Sequence, residues 1–271
     1  MAVSFLFWNL KKLARAEILA TLSKEHEIDV LILAEYDIDD DELTSQLKQA
    51  TGRTYNKPWN ESAKIHIFSR FESPQIEAVF DDNSGRLTVR RLKMGREAVL
   101  LAAVHLVAKV NWDEDEQRAE LQTLAHDLSR VEDDEGHRRT VLVGDFNMNP
   151  FEKGMISSHG IHAVMTRQVA SKRSRQISGR QYEFFYNPMW GFFGDTTSGP
   201  AGTHYFRKST PDIYFWNIFD QVLIRPALLN RFEGDVEIIE TSGDHQLLSK
   251  SGIPDQQIGS DHLPIRFSLN L

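Results

Sequence analysis

Polar side chains that can bind a metal ion or transfer a proton stand beside apolar segments in this 271-residue chain. Each of them either ends an apolar segment or shortly precedes one. These residues are Asn9, Glu35, His105, Asp145, Asn147, Asp220, Asp261 and His262. Loops at the strand ends of an α/β sheet converge on one crevice, so residues in such positions can form a common site. Taken singly, each is also typical of a turn, a cap or a hydrogen-bonded structural position.

Four of these residues are carboxylates, and gathering them in one pocket would be unfavourable without a cation. Two carboxylates about 5 Å apart repel each other by roughly 3 kcal/mol at an effective dielectric constant near 20. Oxygen ligands of this hard type favour Mg²⁺ or Mn²⁺. The four are Glu35, Asp145, Asp220 and Asp261. Their number predicts a divalent-metal site and leaves open whether it holds one ion or two.

The elements that must position these residues alternate between apolar and amphipathic segments. Strands are predicted at residues 3–8, 28–34, 65–69, 76–80, 86–93, 98–105, 140–143, 220–224 and 263–269, and helices at residues 12–25, 41–50 and 116–130. In the first helix, Ala14, Ile18 and Leu22 recur at every fourth position. Strands joined both by helices and by turns predict a mixed sheet, or two sheets, with helices outside. The sequence shows no linker, low-complexity tract or repeat, which predicts one domain over residues 1–271.

Composition and charge exclude several classes of protein. With 31 Lys+Arg against 39 Asp+Glu, the formal net charge is −8, which argues against wrapping duplex DNA by bulk electrostatics but allows a local basic groove. The chain has no cysteine, which excludes disulfide frameworks, thiol nucleophiles and cysteine-based metal sites. The N-terminal segment lacks the charged lead of a signal peptide, and no apolar run approaches the ~20 residues that span a bilayer. We therefore expect a cytoplasmic protein without a membrane span.

The order of these motifs along the chain resembles the endonuclease/exonuclease/phosphatase superfamily, which includes deoxyribonuclease I, exonuclease III-type repair nucleases and inositol phosphatases. The resemblance covers residues 5–268. It is carried by Trp8-Asn9, Glu35, His105, Gly144-Asp145-Phe146-Asn147, Phe219-Asp220 and Gly259-Ser260-Asp261-His262. It implies an α/β fold of the α+β type, a four-layer α/β/β/α sandwich in which two mixed β-sheets pack face to face between flanking helices.

The resemblance also implies which residues bind the cofactor, Mg²⁺ or Mn²⁺. Glu35 and Asp261 are the leading metal ligands, with Asn9 beside them. Asp145 would orient or deprotonate the attacking water, or join a second ion. One ion and two ions are both compatible with these residues.

The remaining motif residues act on the phosphate and on the proton, by the same resemblance. His262 and Asp220 match the family's His–Asp pair, in which the carboxylate fixes the imidazole tautomer. Asn147 would hydrogen-bond the phosphoryl oxygens, and His105 is the other candidate donor to the phosphate. Such donors stabilise the negative charge that develops on the phosphate oxygens during attack.

Substrate preference depends on two basic stretches and one aromatic segment. Residues 167–182 carry five cations and no acidic residue, among them Lys172, Arg173 and Arg175, and residues 86–96 are also rich in cations. Each stretch is either a solvated surface or a track for a phosphate backbone. Seven aromatic residues fall within residues 182–193, including Tyr186 and Trp190. Three interpretations of this segment are open: the aromatic rings anchor the core and loops, they stack on unpaired bases, or they dock a protein partner.

These features favour a divalent-metal-dependent phosphodiesterase that cleaves DNA or RNA, with single-stranded or distorted nucleic acid preferred over duplex. One alternative is a phosphatase or phosphodiesterase that acts on a small molecule or a lipid headgroup. Another is a nuclease-fold subunit of a larger complex, with the acidic runs at residues 37–42, 113–116 and 132–135 as contact points. A fold that has lost catalysis is a further possibility, although every matched motif position holds a competent residue.

Departures from better-known branches narrow the specific role. Tyr36 follows Glu35, where a charged residue is more typical, and no abasic-site-repair signature precedes Asp220. Both features argue against exonuclease III-type repair. The lack of cysteine separates the chain from the disulfide-bearing secreted deoxyribonucleases.

Overall fold

The computed structural model describes residues 1–95, 97–109, 112–194, 196, 198–209, 211, 213–232, 234 and 236–271. The basic stretch at residues 86–96 ends in Arg96, which lies outside the described residues. Within the described part of the chain, no helix is both long enough and apolar enough to cross a membrane.

The described residues form five α-helices, eighteen strands and two 3₁₀-helices. The α-helices are α1 (Ala16–Glu25), α2 (Asp40–Thr51), α3 (Glu114–Asp134), α4 (Lys153–Ile156) and α5 (Arg167–Ala170). The strands are β1 (Ala2–Asn9), β2 (Val30–Ala34), β3 (Ile65–Ser69), β4 (Ile76–Asp81), β5 (Leu87–Leu92), β6 (Val99–His105), β7 (Thr140–Asp145), β8 (Ala163–Val164), β9 (Ser174–Ile177), β10 (Arg180–Glu183), β11 (Phe185–Tyr186), β12 (His204–Tyr205), β13 (Trp216–Asn217), β14 (Asp220–Ile224), β15 (Glu237–Ile238), β16 (Thr241–Ser242), β17 (His245–Gln246) and β18 (Ile265–Asn270). The 3₁₀-helices are Pro188–Phe192 and Pro226–Leu228.

The longer strands form two large mixed sheets. The first has the strand order β15-β18-β1-β2-β3, and the second has the order β4-β5-β6-β7-β14-β11-β8. β1 and β2 are parallel and joined through α1, and β6 and β7 are parallel and joined through α3. Parallel neighbours need such a crossover, because a tight turn would reverse the chain. The pairs β1–β18 and β7–β14 are antiparallel.

The two sheets pack face to face, and helices flank them. Phe5 on β1 and Val141 on β7 belong to one buried cluster, and β1 and β2 of the first sheet contact β7 of the second. On the other face of β7, Leu142 packs with Leu121 and Leu124 of α3. Helices α1 and α2 pack against each other and flank the first sheet. This arrangement is the four-layer α/β/β/α sandwich that the family resemblance predicts.

All nine predicted strands and all three predicted helices are present, with ends that shift by a few residues. The first helix begins at Ala16 rather than Lys12, because Lys11 and Lys12 have positive φ angles of 51° and 57°. Helix α3 begins earlier than predicted, since Asp113 and Glu116 form a capping box at its start. The short strands β8 to β13 and β15 to β17 lack a predictive signal, because two to four residues carry no readable alternation.

The topology brings strand ends from both sheets to one edge of the sandwich. β1, β2, β6 and β7 end at this edge, and the antiparallel strands β14 and β18 begin there. In the second sheet, Asp145 lies opposite Asp220 on one side and opposite His105 on the other. Hereafter this region is called the catalytic edge.

Candidate active site

Asn9 links two of the predicted acidic residues at the catalytic edge. Its Nδ2 donates to Asp145 Oδ2 at 2.9 Å and to Glu35 Oε1 at 3.3 Å. Asn9 and Asp145 are buried, whereas the Glu35 side chain is 35% exposed. One carboxylate of the pair is therefore fixed in the interior, and the other faces solvent.

The backbone beside these carboxylates adopts a conformation that side chains usually avoid. The φ angles of Glu35 and Asn147 are 46° and 49°. In this region Cβ crowds the following carbonyl, at a cost of about 1–2 kcal/mol for a residue other than glycine. Asn147 is held there because its N–H donates to Asp145 Oδ1 at 2.8 Å and its Nδ2 donates to Leu106 O at 3.1 Å.

His262 and Asp220 form a buried hydrogen-bonded pair. Their Nδ1 and Oδ2 atoms are 2.8 Å apart, and Trp8 Nε1 donates to the His262 carbonyl at 2.8 Å. The other ring nitrogen, Nε2, lies 3.9 Å from Asp145 Oδ2. The pair therefore presents one imidazole nitrogen to the carboxylate at the end of β7.

The surrounding charges keep the His262 ring protonated. Burial by itself lowers the pKa of His262, but the carboxylates of Asp220 and Asp145 outweigh burial and raise that pKa to about 10. Burial also raises the pKa of Asp220. The carboxylates around the imidazole thus favour its protonated form, in which Nδ1–H donates to Asp220.

His105 lies at the end of β6, next to both carboxylates that Asn9 links. Its Nε2 is 3.7 Å from Glu35 Oε1 and 4.0 Å from Asp145 Oδ2. Its Nδ1 is buried and has no hydrogen-bond partner among the described residues. The ring is thus placed to donate from Nε2 into the space beside the carboxylates.

Asp261 is held by a lysine. Its Oδ2 lies 2.7 Å from Lys11 Nζ, and its side chain is 20% exposed. Burial raises the pKa of Asp261, but His262 and Lys11 outweigh burial, and the net effect is a pKa below the ordinary value. The structure therefore places Asp261 beside the pair His262–Asp220 as an ionised carboxylate.

The ligands that a divalent cation needs are present in two arrangements. In the first, the Glu35 and Asp145 carboxylates both accept from Asn9 Nδ2, and the oxygens of these two carboxylates suit a hard cation. In the second, Asp145, Asp220 and His262 offer ligand atoms that lie within 4.8 Å of one another. There, the His262–Asp220 hydrogen bond already occupies one atom of each partner. The acidic and histidine cluster thus fits a divalent cation best on the Glu35 side.

Three of the five residues predicted to bind substrate line one cavity, and two lie outside it. Lys172, Arg175 and Trp190 line a cavity of about 570 Å³ whose other walls are mainly apolar; we call it the β8 groove. Arg173 is exposed and does not line it. Tyr186 lines a separate cavity beside β15. The structure therefore brings together only part of the predicted substrate-binding set.

Aromatic and amide side chains connect the β8 groove with the catalytic edge. The ring centroids of Trp190 and Phe151 are 6.4 Å apart. Phe151 closely follows Asn149, whose side chain donates to Asn217 Oδ1 at 2.9 Å. Asn217 ends β13, three residues before Asp220. These two contacts, with the short chain segments between them, lead from the groove to the start of β14.

The second basic stretch does not form a phosphate track along its length. Arg90 is fully buried and forms an ion pair with Asp81 at 3.1 Å. Arg91 pairs with Glu77 at 3.0 Å and also with Glu135. Both interpretations of this stretch, a solvated surface and a phosphate track, are therefore wrong for Arg90, whose charge does not reach the surface.

His204 belongs to the site but lacks a sequence signal. Its ring centroid is 4.6 Å from that of His262, and the two residues pair through an isolated β-bridge. Burial, together with the charge on His262, lowers the pKa of His204 to about 4. Sequence reasoning missed this neutral imidazole, because a lone histidine in a two-residue strand carries no periodicity. Its neighbour Thr203, which accepts from the Asp220 N–H at 3.2 Å, gives no signal either.

The sequence matches one protein family over nearly its whole length. Residues 6–262 match the sequence model of the Endonuclease/Exonuclease/phosphatase family. A search of the curated proteins finds no match.

Solved structures of several proteins are similar to this chain across almost all of it. TDP2 of D. rerio, complexed with a single-strand DNA product, aligns with a TM-score of 0.57 at 14% identity, over 100% of this chain and 99% of that chain. The endonuclease domain of TRAS1, a telomere-specific non-LTR retrotransposon, aligns with a TM-score of 0.52 at 13% identity over 99% of each chain. An endonuclease/exonuclease/phosphatase family protein from Bacteroides thetaiotaomicron aligns with a TM-score of 0.58 at 12% identity, over 99% and 95%. At such identities the likeness shows a common fold.

Proposed function

The chain belongs to the endonuclease/exonuclease/phosphatase family, whose members hydrolyse phosphoester bonds, and from this premise we propose that it is a divalent-metal-dependent nuclease. The observation that carries the proposal is the hydrogen bond between His262 Nδ1 and Asp220 Oδ2, which leaves Nε2 facing Asp145. A fixed imidazole beside a fixed carboxylate places a proton donor and a proton acceptor next to one reacting phosphate group. We also propose that residues 1–271 form one catalytic domain, since the site draws on Asn9 and His262 alike.

Asp145 is proposed to orient and deprotonate the attacking water. Its Oδ1 accepts from the Asn147 N–H, and its Oδ2 accepts from Asn9 Nδ2, so the carboxylate cannot rotate freely. A carboxylate fixed in this way holds a water molecule in one orientation toward the phosphorus.

His262 is proposed to stabilise the charge that develops on the phosphate. Because its pKa is raised to about 10, the ring is protonated at neutral pH and Nε2–H can donate to a non-bridging oxygen. Asp220 fixes the ring orientation through Nδ1. Asn147 and His105 are proposed as further donors to the phosphate.

Glu35 and Asp261, with Asn9 beside them, are proposed to hold Mg²⁺ or Mn²⁺. The cation would neutralise charge on the phosphate oxygens. Glu35 supports this role because its carboxylate is partly exposed and lies next to Asp145 across the Asn9 amide. Counting the Mn²⁺ ions bound per chain distinguishes one ion from two.

Single-stranded nucleic acid is the substrate class that we propose. The β8 groove combines two cations, Lys172 and Arg175, with the indole of Trp190, whose Nε1 is buried without a partner among the described residues. Bases that are not paired can stack on such a ring while cations contact the backbone. The similar fold of D. rerio TDP2 has been solved with a single-strand DNA product. Arg173 is proposed to extend the basic rim of the groove. Tyr186 lines a separate cavity, so we propose no contact between it and the bound nucleic acid.

The test is cleavage of labelled single-stranded DNA, duplex DNA and single-stranded RNA by the purified chain with Mg²⁺ or Mn²⁺. We expect cleavage of the single strands, and we expect EDTA, Asp145→Ala and His262→Ala each to abolish it. His126→Ala is the matched control, because His126 is exposed on α3. Cleavage that survives EDTA would contradict metal dependence.

Two other outcomes would redirect the proposal. A folded, metal-loaded chain that cleaves no strand but hydrolyses bis(4-nitrophenyl) phosphate or a phosphoinositide is a phosphoesterase of small molecules or lipid headgroups. A chain that hydrolyses nothing alone and co-purifies with a partner acts within a larger complex.

A further inference from the structure

Lys11 is a charged residue at the catalytic edge to which the proposed mechanism gives no role. Its Nζ lies 2.7 Å from Asp261 Oδ2 and donates to Gln256 Oε1 at 2.9 Å. The Lys11 side chain is 43% exposed, whereas that of Asp261 is 20% exposed. An ammonium group thus occupies an oxygen of the carboxylate that is proposed to bind the metal.

The backbone commits Lys11 to this position. Its φ angle is 51°, and that of the next residue, Lys12, is 57°. The Lys11 N–H donates to Asn9 Oδ1 at 3.0 Å, and the Lys12 N–H donates to Glu35 O at 2.8 Å. Two consecutive lysines in this conformation cost about 1–2 kcal/mol each, so the fold must hold the turn in place. The turn therefore ties the backbone of Lys11 to Asn9 and that of Lys12 to Glu35, the two residues beside the proposed cation.

We propose that Lys11 is a built-in counter-ion that competes with the divalent cation for Asp261 and thereby lowers the affinity of the site for that cation. An ammonium group and a divalent cation on the same carboxylate repel each other, so the cation must displace Lys11. The half-exposed, four-carbon side chain can leave Asp261 without moving the backbone. This inference rests on the proposed function, since it assumes that Asp261 is a metal ligand.

Lys12 provides a matched control. It is adjacent, carries the same charge, has nearly the same φ angle and is exposed. Unlike Lys11, it forms no ion pair with any described residue. Any difference between the two lysines therefore reports the contact with Asp261 rather than the charge of the turn.

The experiment is titration of EDTA-stripped protein with Mn²⁺, followed by the electron paramagnetic resonance signal of free Mn²⁺ and without any substrate. We expect Lys11→Met to bind Mn²⁺ about tenfold more tightly than the unaltered chain. Lys11→Arg should bind as the unaltered chain does, and Lys12→Met should differ from it by less than about twofold. Lys11→Met affinity no higher than that of Lys12→Met would overturn the inference.

Thermal unfolding provides a second readout. Without metal, Lys11→Met should melt at a lower temperature, because Asp261 loses its partner; Mn²⁺ should then raise its melting temperature more than that of the unaltered chain. Lys11→Gln, which keeps a donor but loses the charge, replaces Lys11→Met if the latter does not fold. If Mn²⁺ raises the melting temperature of all chains equally, the inference about Lys11 is contradicted but the proposed function is not. If no chain binds Mn²⁺, the proposed function is contradicted as well.

Discussion

The catalytic edge and the β8 groove differ in how firmly the fold holds their side chains. At the catalytic edge, Asp145, Asp220 and His262 are at most 7% exposed, and each has a hydrogen-bond partner. At the groove, Lys172 and Arg175 are exposed; Arg175 belongs to β9, which pairs with β10 alone in a two-stranded sheet, and Lys172 shortly precedes it. The proposed chemistry therefore lies on the core strands, while the proposed recognition lies on small elements that can change without disturbing the core.

Changing the His262–Asp220 pair should have the largest effect and should not depend on the substrate. We expect His262→Gln and Asp220→Asn each to lower kcat by about 10³-fold, because a positioned charge donor is lost from the transition state. The measurement is kcat on single-stranded DNA and on bis(4-nitrophenyl) phosphate, with His126→Gln as the control.

The double variant sharpens this prediction. Residues that act as a unit are not additive, so the double variant should be no slower than His262→Gln alone. If the loss appeared with DNA but not with the small phosphodiester, the pair would serve recognition, and the contrast between the two regions would fail.

Gly144 shows how tightly the catalytic edge is packed. Its φ angle is 154°, and a Cβ atom there would lie 1.9 Å from the Val104 carbonyl oxygen. We expect Gly144→Ala to lower the free energy of unfolding by about 3 kcal/mol or more, since a backbone atom of β6 cannot move aside. Urea unfolding followed by circular dichroism measures this loss.

Gly179, in the turn between β9 and β10, is the control in the other region. Its φ angle is 80°, but a Cβ atom there would meet no atom within 4 Å. Gly179→Ala should cost only about 1 kcal/mol, from the backbone conformation alone. Similar losses at both positions would mean that the two regions are equally rigid.

The same contrast explains how much of the molecule could be predicted from its sequence. Strand ends such as His105 follow long apolar runs with a readable pattern, so the nine main strands and the polar residues beside them were predictable. The order of the motifs then identified the sandwich and the His262–Asp220 pair, which the structure joins across 42 residues. The apolar pattern of the strands and the order of the motifs were therefore sufficient to predict the main strands and this pair.

The remaining features depend on contacts that no local pattern encodes. The Lys11–Asp261 ion pair spans 250 positions, and neither residue signals the other. Arg90 looks like a surface cation in the sequence, but it is buried and forms an ion pair with Asp81, whose side chain is buried with it. Charge pairing of this kind depends on sheet register, because Asp81 lies on β4 opposite Thr88 of β5.

Neutralising the rim of the β8 groove should have a moderate effect that depends on the substrate. We expect Lys172→Ala with Arg175→Ala to weaken single-stranded DNA binding about threefold to tenfold and to reduce the salt slope by roughly 1.4, since about 0.7 is lost per phosphate contact. The control pair is Lys24→Ala with Lys48→Ala, exposed cations on α1 and α2.

The measurement is fluorescence anisotropy of a labelled strand over a range of salt concentrations, together with hydrolysis of bis(4-nitrophenyl) phosphate. Hydrolysis of the small substrate should stay unchanged. An intact salt slope would remove the β8 groove from the substrate path, and slower hydrolysis of the small substrate would couple the groove to the catalytic edge.

The smallest expected effect comes from the titration of His162. The stability that His162 contributes at the groove and the stability that His262 contributes at the catalytic edge change with pH in opposite directions. His162 is buried in the wall of the β8 groove, where its Nε2 accepts from Arg175 Nε at 2.8 Å. Burial lowers the pKa of His162, and Arg175 lowers it further against the opposing bond to the Glu183 carbonyl. Its contribution to stability is thus present above about pH 6.5 and is lost as the pH falls through the folded-state pKa. His262, whose pKa is raised, contributes in the opposite sense and loses its contribution as the pH rises toward 10.

We therefore expect acidification of the EDTA-treated chain from pH 7.5 to pH 5 to lower the free energy of unfolding of the unaltered protein more than that of His162→Gln. Urea unfolding at each pH measures the difference, and Arg175→Ala should reduce it, since a protonated His162 would then face one cation fewer. His126→Gln, on the exposed surface of α3, should retain the full pH dependence of the unaltered chain. If His162→Gln retains it as well, the groove is not the acid-sensitive region, and the stability loss must be sought among the carboxylates of the catalytic edge.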